Sequence, residues 1–218
     1  MHSGDDLRLE LLLLLPVLYY VPKQDVLGEY NTSFGDELYM IEEHVHKEQR
    51  DTPGFGKPDD IVDTGEMLEN LRKDHKYSMD EKAYIRARLF DMLIGDWDRH
   101  TDQWKWAEYK SDGKVFYRPI PKDRDQAFTK YDGTLFSIIM NIPALRHMQS
   151  FKDDIGNVKW FNREPYPLDL AVITASTEAD WLEQAAYITE NLTDAVIDEA
   201  FASLPKEVQD ATIDEIKE

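Results

Sequence analysis

GDWDRHTDQW at 95–104, answered by PKDRDQAF at 121–128, is the stretch around which the rest of the chain arranges itself. Asp96, Asp98, His100 and Asp102 fall at every second position of the first segment, and Asp123 and Asp125 repeat that spacing in the second. Upstream, Ala83, Tyr84, Ala87, Phe90, Leu93 and Ile94 share one helical face, and Ile85, Leu89 and Met92 make the adjoining face apolar. A helix apolar over more than half its circumference is buried, so Gly95 and the residues after it should hang from a rigid element. Ser78 followed by Glu81 predicts a capping box at its start. Between the two segments, 104–109 and 114–119 alternate around KSDGK, which predicts a β-hairpin turning at Asp112 and Gly113. Two carboxylate-bearing loops joined by one hairpin can share a divalent cation, since Mg²⁺ takes one or two carboxylates and completes its shell with water and phosphate oxygens. The plainer reading is that these aspartates cap turns.

Composition narrows the field. The 218 residues are 42% hydrophobic, enough for one main domain, and carry 25 Lys and Arg against 44 Asp and Glu, a net charge of −19. That surface repels a phosphate backbone, so nucleic acid is not an expected partner. With no cysteine, disulfides, a thiol nucleophile and thiolate metal sites are excluded, and any metal must sit on oxygen or imidazole. The apolar run in LELLLLLPVLYYV at 9–21 is about half the length of a membrane-spanning helix, so no transmembrane span is expected. It reads either as a signal-peptide core, against which the acids Asp5, Asp6 and Glu10 speak, or as a buried strand over Val17–Val21.

Along the chain, LYMIEE at 38–43 predicts a second strand, and HKEQRDTPGFGKPDD at 46–60 a loop without periodicity. GFGK at 54–57 has no strand before it and no helix after it, so it reads as loop and not as a phosphate cradle. Helices are expected from Asp63 or Thr64, from Thr177 to Leu192 and from Thr193 to Leu204, with a short one at the end, and Pro165 and Pro167 should break the chain before them. Trp97, Trp104 and Trp106 are expected in the core. The calcium-loop reading of residues 96–107 fails, because Thr101 and Ala107 stand where that loop needs Gly and Glu. His44, His46, His75 and His147 are isolated in sequence and receive no role.

WDRHTDQ is similar to the DRHxxN-type catalytic loop of atypical kinases: the phosphoinositide kinases, the HipA toxin kinases, the spore-coat CotH kinases and the secretory-pathway casein kinases. PKDRDQAF resembles the metal-binding stretch of CotH proteins, and the order of helix, loop, hairpin and acid agrees. The resemblance implies an α+β, mostly helical fold, the C-lobe of a protein-kinase-like fold with a catalytic-loop β-hairpin. It divides the chain into partial N-terminal hinge strands at 1–45, a linker at 46–62 and the lobe with its C-terminal helices at 63–218. It also implies a catalytic set of Asp98, Arg99 and His100. Asp98 would orient or deprotonate the attacking hydroxyl, while Arg99 and His100 pack the loop through hydrogen bonds, His100 being a possible metal ligand as well. Gln103 falls at a metal-ligand position where the family has Asn or Glu, with Asp102 as its possible substitute. Asp123 would bridge Mg²⁺ to the phosphates of ATP, with Asp125 as its rival.

The expected activity is thus an Mg²⁺-dependent, ATP-using phosphotransfer to a hydroxyl-bearing substrate. No glycine-rich loop with a strand lysine precedes Asp98, so if VLYYVP at 17–22 is the hinge strand, the N-lobe lies outside this chain. Two rival readings stand beside it: a non-catalytic, kinase-derived scaffold for neighbouring domains, and a metal-dependent phosphoesterase with His100 as a ligand. LYMIEE followed by WDRHxDQW also resembles segments of large Bacteroidota envelope proteins, which implies an envelope-associated location.

Overall fold

A computed structural model of the chain describes residues 17–42, 44–131, 142–204, 209 and 211–217. The chain is α+β, with helix exceeding strand and two separate sheets. The first sheet is an antiparallel ribbon of β1 (Val17–Val21) and β2 (Glu37–Ile41), joined by a 3-10 turn at Asp25–Tyr30 and the one-turn α1 (Asn31–Phe34). Val17–Val21 is a strand as expected but is not buried. Val17, Leu18, Tyr19 and Tyr20 are all exposed, because no core element among the described residues covers β1. The leucine run before it, residues 9–16, lies outside the described residues.

The second sheet has four strands in the order β3 (Asp60–Asp63), β5 (Trp104–Ser111), β6 (Lys114–Pro121) and β4 (Tyr77–Met79). The expected hairpin, β5 with β6, is its centre. Asp112 and Gly113 make the turn with φ of 50° and 75°, the left-handed pair that matches strand twist in a two-residue hairpin. β4 runs parallel to β6 and ends opposite Tyr117, so Pro119 and Pro121, which have no N–H to donate, lie past its last partner.

Alternation along β5 assigns a face to each residue. Trp104 and Trp106, with Val62, Val115 and Tyr117, point to one core. Ala107, with Ile61 and Ile120, points to the other, where Val45 and Phe55 cover it. The segment at 46–62, read as a linker, therefore packs as a cover: Phe55 is wholly buried, and residues 60–63 form an edge strand.

On the tryptophan face lie α2 (Thr64–Lys73), capped by Asp63 on the Glu66 amide, and α3 (Glu81–Leu93). Ala83, Tyr84, Ile85 and Ala87 are buried, and Tyr84 packs on both tryptophans with ring centroids 4.8 and 5.9 Å away. The start of α3 differs from expectation. Ser78 lies in β4, Asp80 caps the helix by accepting from the Ala83 amide, and the Glu81 carboxylate instead grips residues 174–176. After α4 (Val158–Phe161), the prolines 165 and 167 open α5 (Tyr166–Val172) instead of only breaking the chain, since a first helical turn needs no N–H from them. Beyond it lie α6 (Glu178–Asn191), started by a Thr177–Asp180 capping box and packed on α3, and α7 (Asp194–Ala202) and α8 (Ala211–Lys217). No helix among the described residues is long and apolar enough to cross a membrane.

Candidate functional site

The loop after α3 is built around Arg99. Gly95 turns the chain with φ of 74°, and Trp97, Arg99 and Gln103 point inward and are buried. The Arg99 guanidinium is inaccessible to solvent: its Nε lies 3.1 Å from Asp91 Oδ2, and its Nη1 lies 3.3 Å from Asp96 Oδ2. Nη1 also donates to the carbonyls of Lys122 at 2.7 Å and Asp123 at 3.2 Å, Nη2 donates to the Gln103 carbonyl at 3.0 Å, and the guanidinium stands 4.8 Å from the Trp104 ring centre. One side chain thus ties helix α3, the 95–104 loop and the 121–128 stretch together. Arg124 completes the tie from the far side, with Nε 2.9 Å from Asp91 Oδ1. Arg88 extends the network to Asp169 at 3.1 Å, so three carboxylates, Asp91, Asp96 and Asp169, meet three guanidiniums, Arg88, Arg99 and Arg124. Such pairing is what makes buried charge tolerable. Burial nevertheless pushes the Asp96 carboxyl up to about 6; Arg99 and Arg124 oppose the shift and Asp91 reinforces it.

With Arg99 inward, its neighbours face out. Asp98 is half-buried, and its carboxyl is raised first by that burial, then by the negative charges of Asp125 and Glu164, against the opposing influence of His100 and His147. A carboxylate so raised is a better proton acceptor than a solvated one. The His100 ring accepts from the Asp102 amide at 3.2 Å and so caps the short 3-10 turn Thr101–Gln103, a structural task. Asp102 is exposed. Gln103 Nε2 donates to Asp123 Oδ2 at 3.1 Å, which brings together two of the residues expected at a metal. Asp123 and Asp125 are both exposed, and Asp123 has φ of 55°, a left-handed conformation that a short acid tolerates. Phe128, at φ of 58°, is held in that less tolerable conformation for a bulky residue by the hydrogen bond its backbone N–H donates to the Ile94 carbonyl at 2.8 Å.

Gln103, Asp123 and Asp125 offer hard oxygen donors, which suits Mg²⁺ and not softer metals. Among the described residues no three acids or imidazoles converge as a complete cage. An ion that takes most of its shell from phosphates and water needs no such cage.

Three residues near Asp98 were invisible in sequence. The His147 ring meets Trp97 edge-on at 4.9 Å, and its Nε2 is 3.9 Å from Glu164 Oε1. Tyr131, whose hydroxyl donates to Gln126 Oε1 at 2.6 Å, is raised by burial and then by Asp125, Asp98 and Asp96, with Trp97 opposing the shift. No local pattern announces His147, Glu164 or Tyr131, because they lie 30 or more residues downstream of Asp98. Asp91 and Arg88 did leave a signal: charges on an otherwise apolar, buried helix must find each other or a partner. Comparison of the chain with family models, with curated proteins and with solved structures returns no match.

Proposed function

We propose that this chain carries the C-lobe of a kinase-like, Mg²⁺-dependent phosphotransferase that moves the terminal phosphoryl group of ATP to a hydroxyl. The observation that carries the reading is the division of labour around Arg99. Its inward guanidinium holds the Gln103, Lys122 and Asp123 carbonyls, which ties the loop of Asp98 to the stretch of Asp123 and Asp125, and the charge of Asp125 acts on Asp98. In this reading Asp98 orients the attacking hydroxyl and accepts its proton late, in a transition state that needs positioning more than covalent help. Asp123 and Asp125, with Gln103 and Asp102 beside them, would hold Mg²⁺, whose contribution is to neutralise charge on the phosphates. His100 supports the loop and does not touch the reactants.

A second reading has one specific observation in its favour. The Gln103 amide donates to Asp123, so that the carboxylate meets N–H where a metal ligand would present oxygen. That fits a kinase-derived scaffold, which joins neighbouring domains of a larger envelope protein and has given up its metal. Rotating the amide restores the oxygen, and a titration decides between the two. With the whole chain, Mg-ATP should bind measurably, and Asp123→Asn should weaken it by about tenfold or more, the loss of one ionic contact. Where phosphotransfer is measurable, Asp98→Asn should leave that affinity nearly unchanged and lower turnover by about 10²–10⁴. Equal and small effects of both substitutions would select the scaffold.

A further inference from the structure

The Nη1 atom of Arg99 carries two hydrogens and faces three oxygens. The Lys122 carbonyl lies at 2.7 Å, the Asp123 carbonyl at 3.2 Å and Asp96 Oδ2 at 3.3 Å. The last two contacts are long for charge-assisted hydrogen bonds, which usually measure about 2.7–2.9 Å, as contacts that share one hydrogen are. Asp96 and the backbone of the 121–128 stretch therefore compete for the same donor. The rest of the guanidinium is held independently: Nε by Asp91 Oδ2 at 3.1 Å, Nη2 by the Gln103 carbonyl at 3.0 Å, and its face by the Trp104 ring. A change at Asp96 thus alters the sharing at Nη1 without freeing the side chain.

Asp96 is also the less compensated of the two carboxylates on Arg99. Asp91 lies 3.1 Å from Arg99, 2.9 Å from Arg124 and 3.7 Å from Arg88, whereas among the described residues Asp96 pairs with Arg99 alone. Its Oδ1 is buried and meets no hydrogen-bond donor among the described residues. A buried charge so weakly paired is the one that a proton neutralises at least cost. Groups from each packed element act on it. Burial disfavours its charge most and Asp91 on α3 adds to that, while Arg99 and the Asp98 amide in the loop and Arg124 in the second stretch oppose them. The Tyr131 phenol feels the same carboxylate.

We infer that Asp96 is a proton-operated control on the tie between the two acidic segments: a proton on its carboxyl releases the shared hydrogen of Arg99 to the Asp123 carbonyl, and loss of that proton draws the hydrogen back. The stretch of Asp123 and Asp125 is then held most firmly to the loop of Asp98 on the acid side of the transition and more loosely above it. The inference uses the contacts of Arg99 and does not need the phosphotransferase reading. By reciprocity, a ligand that pulls the stretch away from Arg99 makes Asp96 a stronger acid.

The test is an NMR titration of the whole chain, labelled with ¹³C and ¹⁵N, from about pH 5 to pH 7.5, which brackets the Asp96 transition. The Asp96 side-chain carboxyl carbon should titrate with a midpoint of about 6. A carbonyl carbon moves downfield when its oxygen accepts a stronger hydrogen bond. The Asp123 carbonyl carbon should therefore move downfield as pH falls, with the same midpoint, while that of Gln103, bonded through Nη2, should move least. Asp96→Asn, which cannot ionise, should hold the Asp123 carbon at its low-pH position throughout. His100→Gln/His147→Gln, which removes two imidazoles that act on neighbouring Asp98, should leave the transition in place. An Asp123 carbonyl that ignores the Asp96 midpoint overturns the inference, as does an upfield movement, in which the proton loosens the tie. A transition that survives Asp96→Asn, or is lost with the two histidines, overturns it as well. Where Asp96→Asn does not fold, agreement or disagreement of the two midpoints in the parent chain decides alone.

Discussion

Arg99 shows how much one buried side chain can organise. Its two Nη atoms donate to the Asp96 carboxylate and to three carbonyls on separate segments while its Nε lies in an ion pair with Asp91, and a lysine has neither the reach nor the planar fork to replace it. Arg99→Lys should therefore destabilise the chain by about 3–5 kcal/mol in denaturant unfolding, as expected when a buried pair is broken. Two carboxylates give the stability opposite dependences on pH. Burial raises Glu81, but the hydrogen bonds from Ser176, Thr174 and Ala175 outweigh it and leave the carboxyl below its ordinary 4.5. Its contribution is thus present above pH 4.5 and lost as pH falls through the lowered value. Glu81→Gln should blunt the loss of stability in acid, measured by unfolding between about pH 3 and 6. Asp96 works the other way: with its carboxyl near 6 in the fold and ordinarily at 3.8, the folded state binds the proton more tightly. Stability therefore falls as pH rises between those values, by roughly 3 kcal/mol. The stability of Asp96→Asn relative to the parent chain should grow by about that amount from about pH 4 to pH 7.

At the scale of elements, the junction of α3 with its loop is the point least tolerant of change. Gly95 has φ of 74°, and a Cβ there would meet the Phe151 ring at 3.0 Å. Gly113, in the hairpin turn, has nearly the same φ, 75°, with nothing within 4 Å. Alanine at Gly113 should cost only the left-handed penalty of about 1–2 kcal/mol. Alanine at Gly95 should cost more, because the ring must also move, and it should displace the Trp97 indole resonance in NMR spectra while Gly113→Ala leaves it in place. The hairpin also explains the position of the second acidic stretch. β6 returns antiparallel to β5, so Pro121 lies opposite Trp104 and Lys122 donates to the Gln103 carbonyl.

Taken as a whole, the described residues join a well-covered sheet to a ribbon that none of them covers. The central hairpin has tryptophans on one face and Phe55 with Val45 on the other, while β1 and β2 expose Tyr19, Tyr20, Leu38 and Met40. Protection from hydrogen exchange tracks burial and cooperative packing. Amides of β5 and β6 should therefore exchange close to the rate of global unfolding, and those of Val17–Val21 and Glu37–Ile41 orders of magnitude faster. Uniform protection across both sheets would mean that the ribbon is a cooperative part of the domain.

By itself the sequence determined the elements whose signal is local. The apolar circumference of α3, the alternation around Asp112 and Gly113, and the periodicity of α6 and α7 are properties of neighbouring residues, and they fall where the chain has them. The α+β class, which the resemblance implied, is the class the chain has. Tertiary structure alone decided the strands β3 and β4, four and three residues long, because segments so short become strands only when a partner supplies the hydrogen bonds. It also turned the apparent linker into the cover of the second face and let Pro165 and Pro167 open a helix. Above all it set which charges lie inside. Asp96, Asp98, Asp123 and Asp125 look alike in sequence, but Arg99 draws Asp96 into the core and leaves the others facing out, and His147 and Glu164 reach Asp98 from a distant segment. Burial and long-range pairing depend on how remote segments share space, and no window of neighbouring residues contains that information.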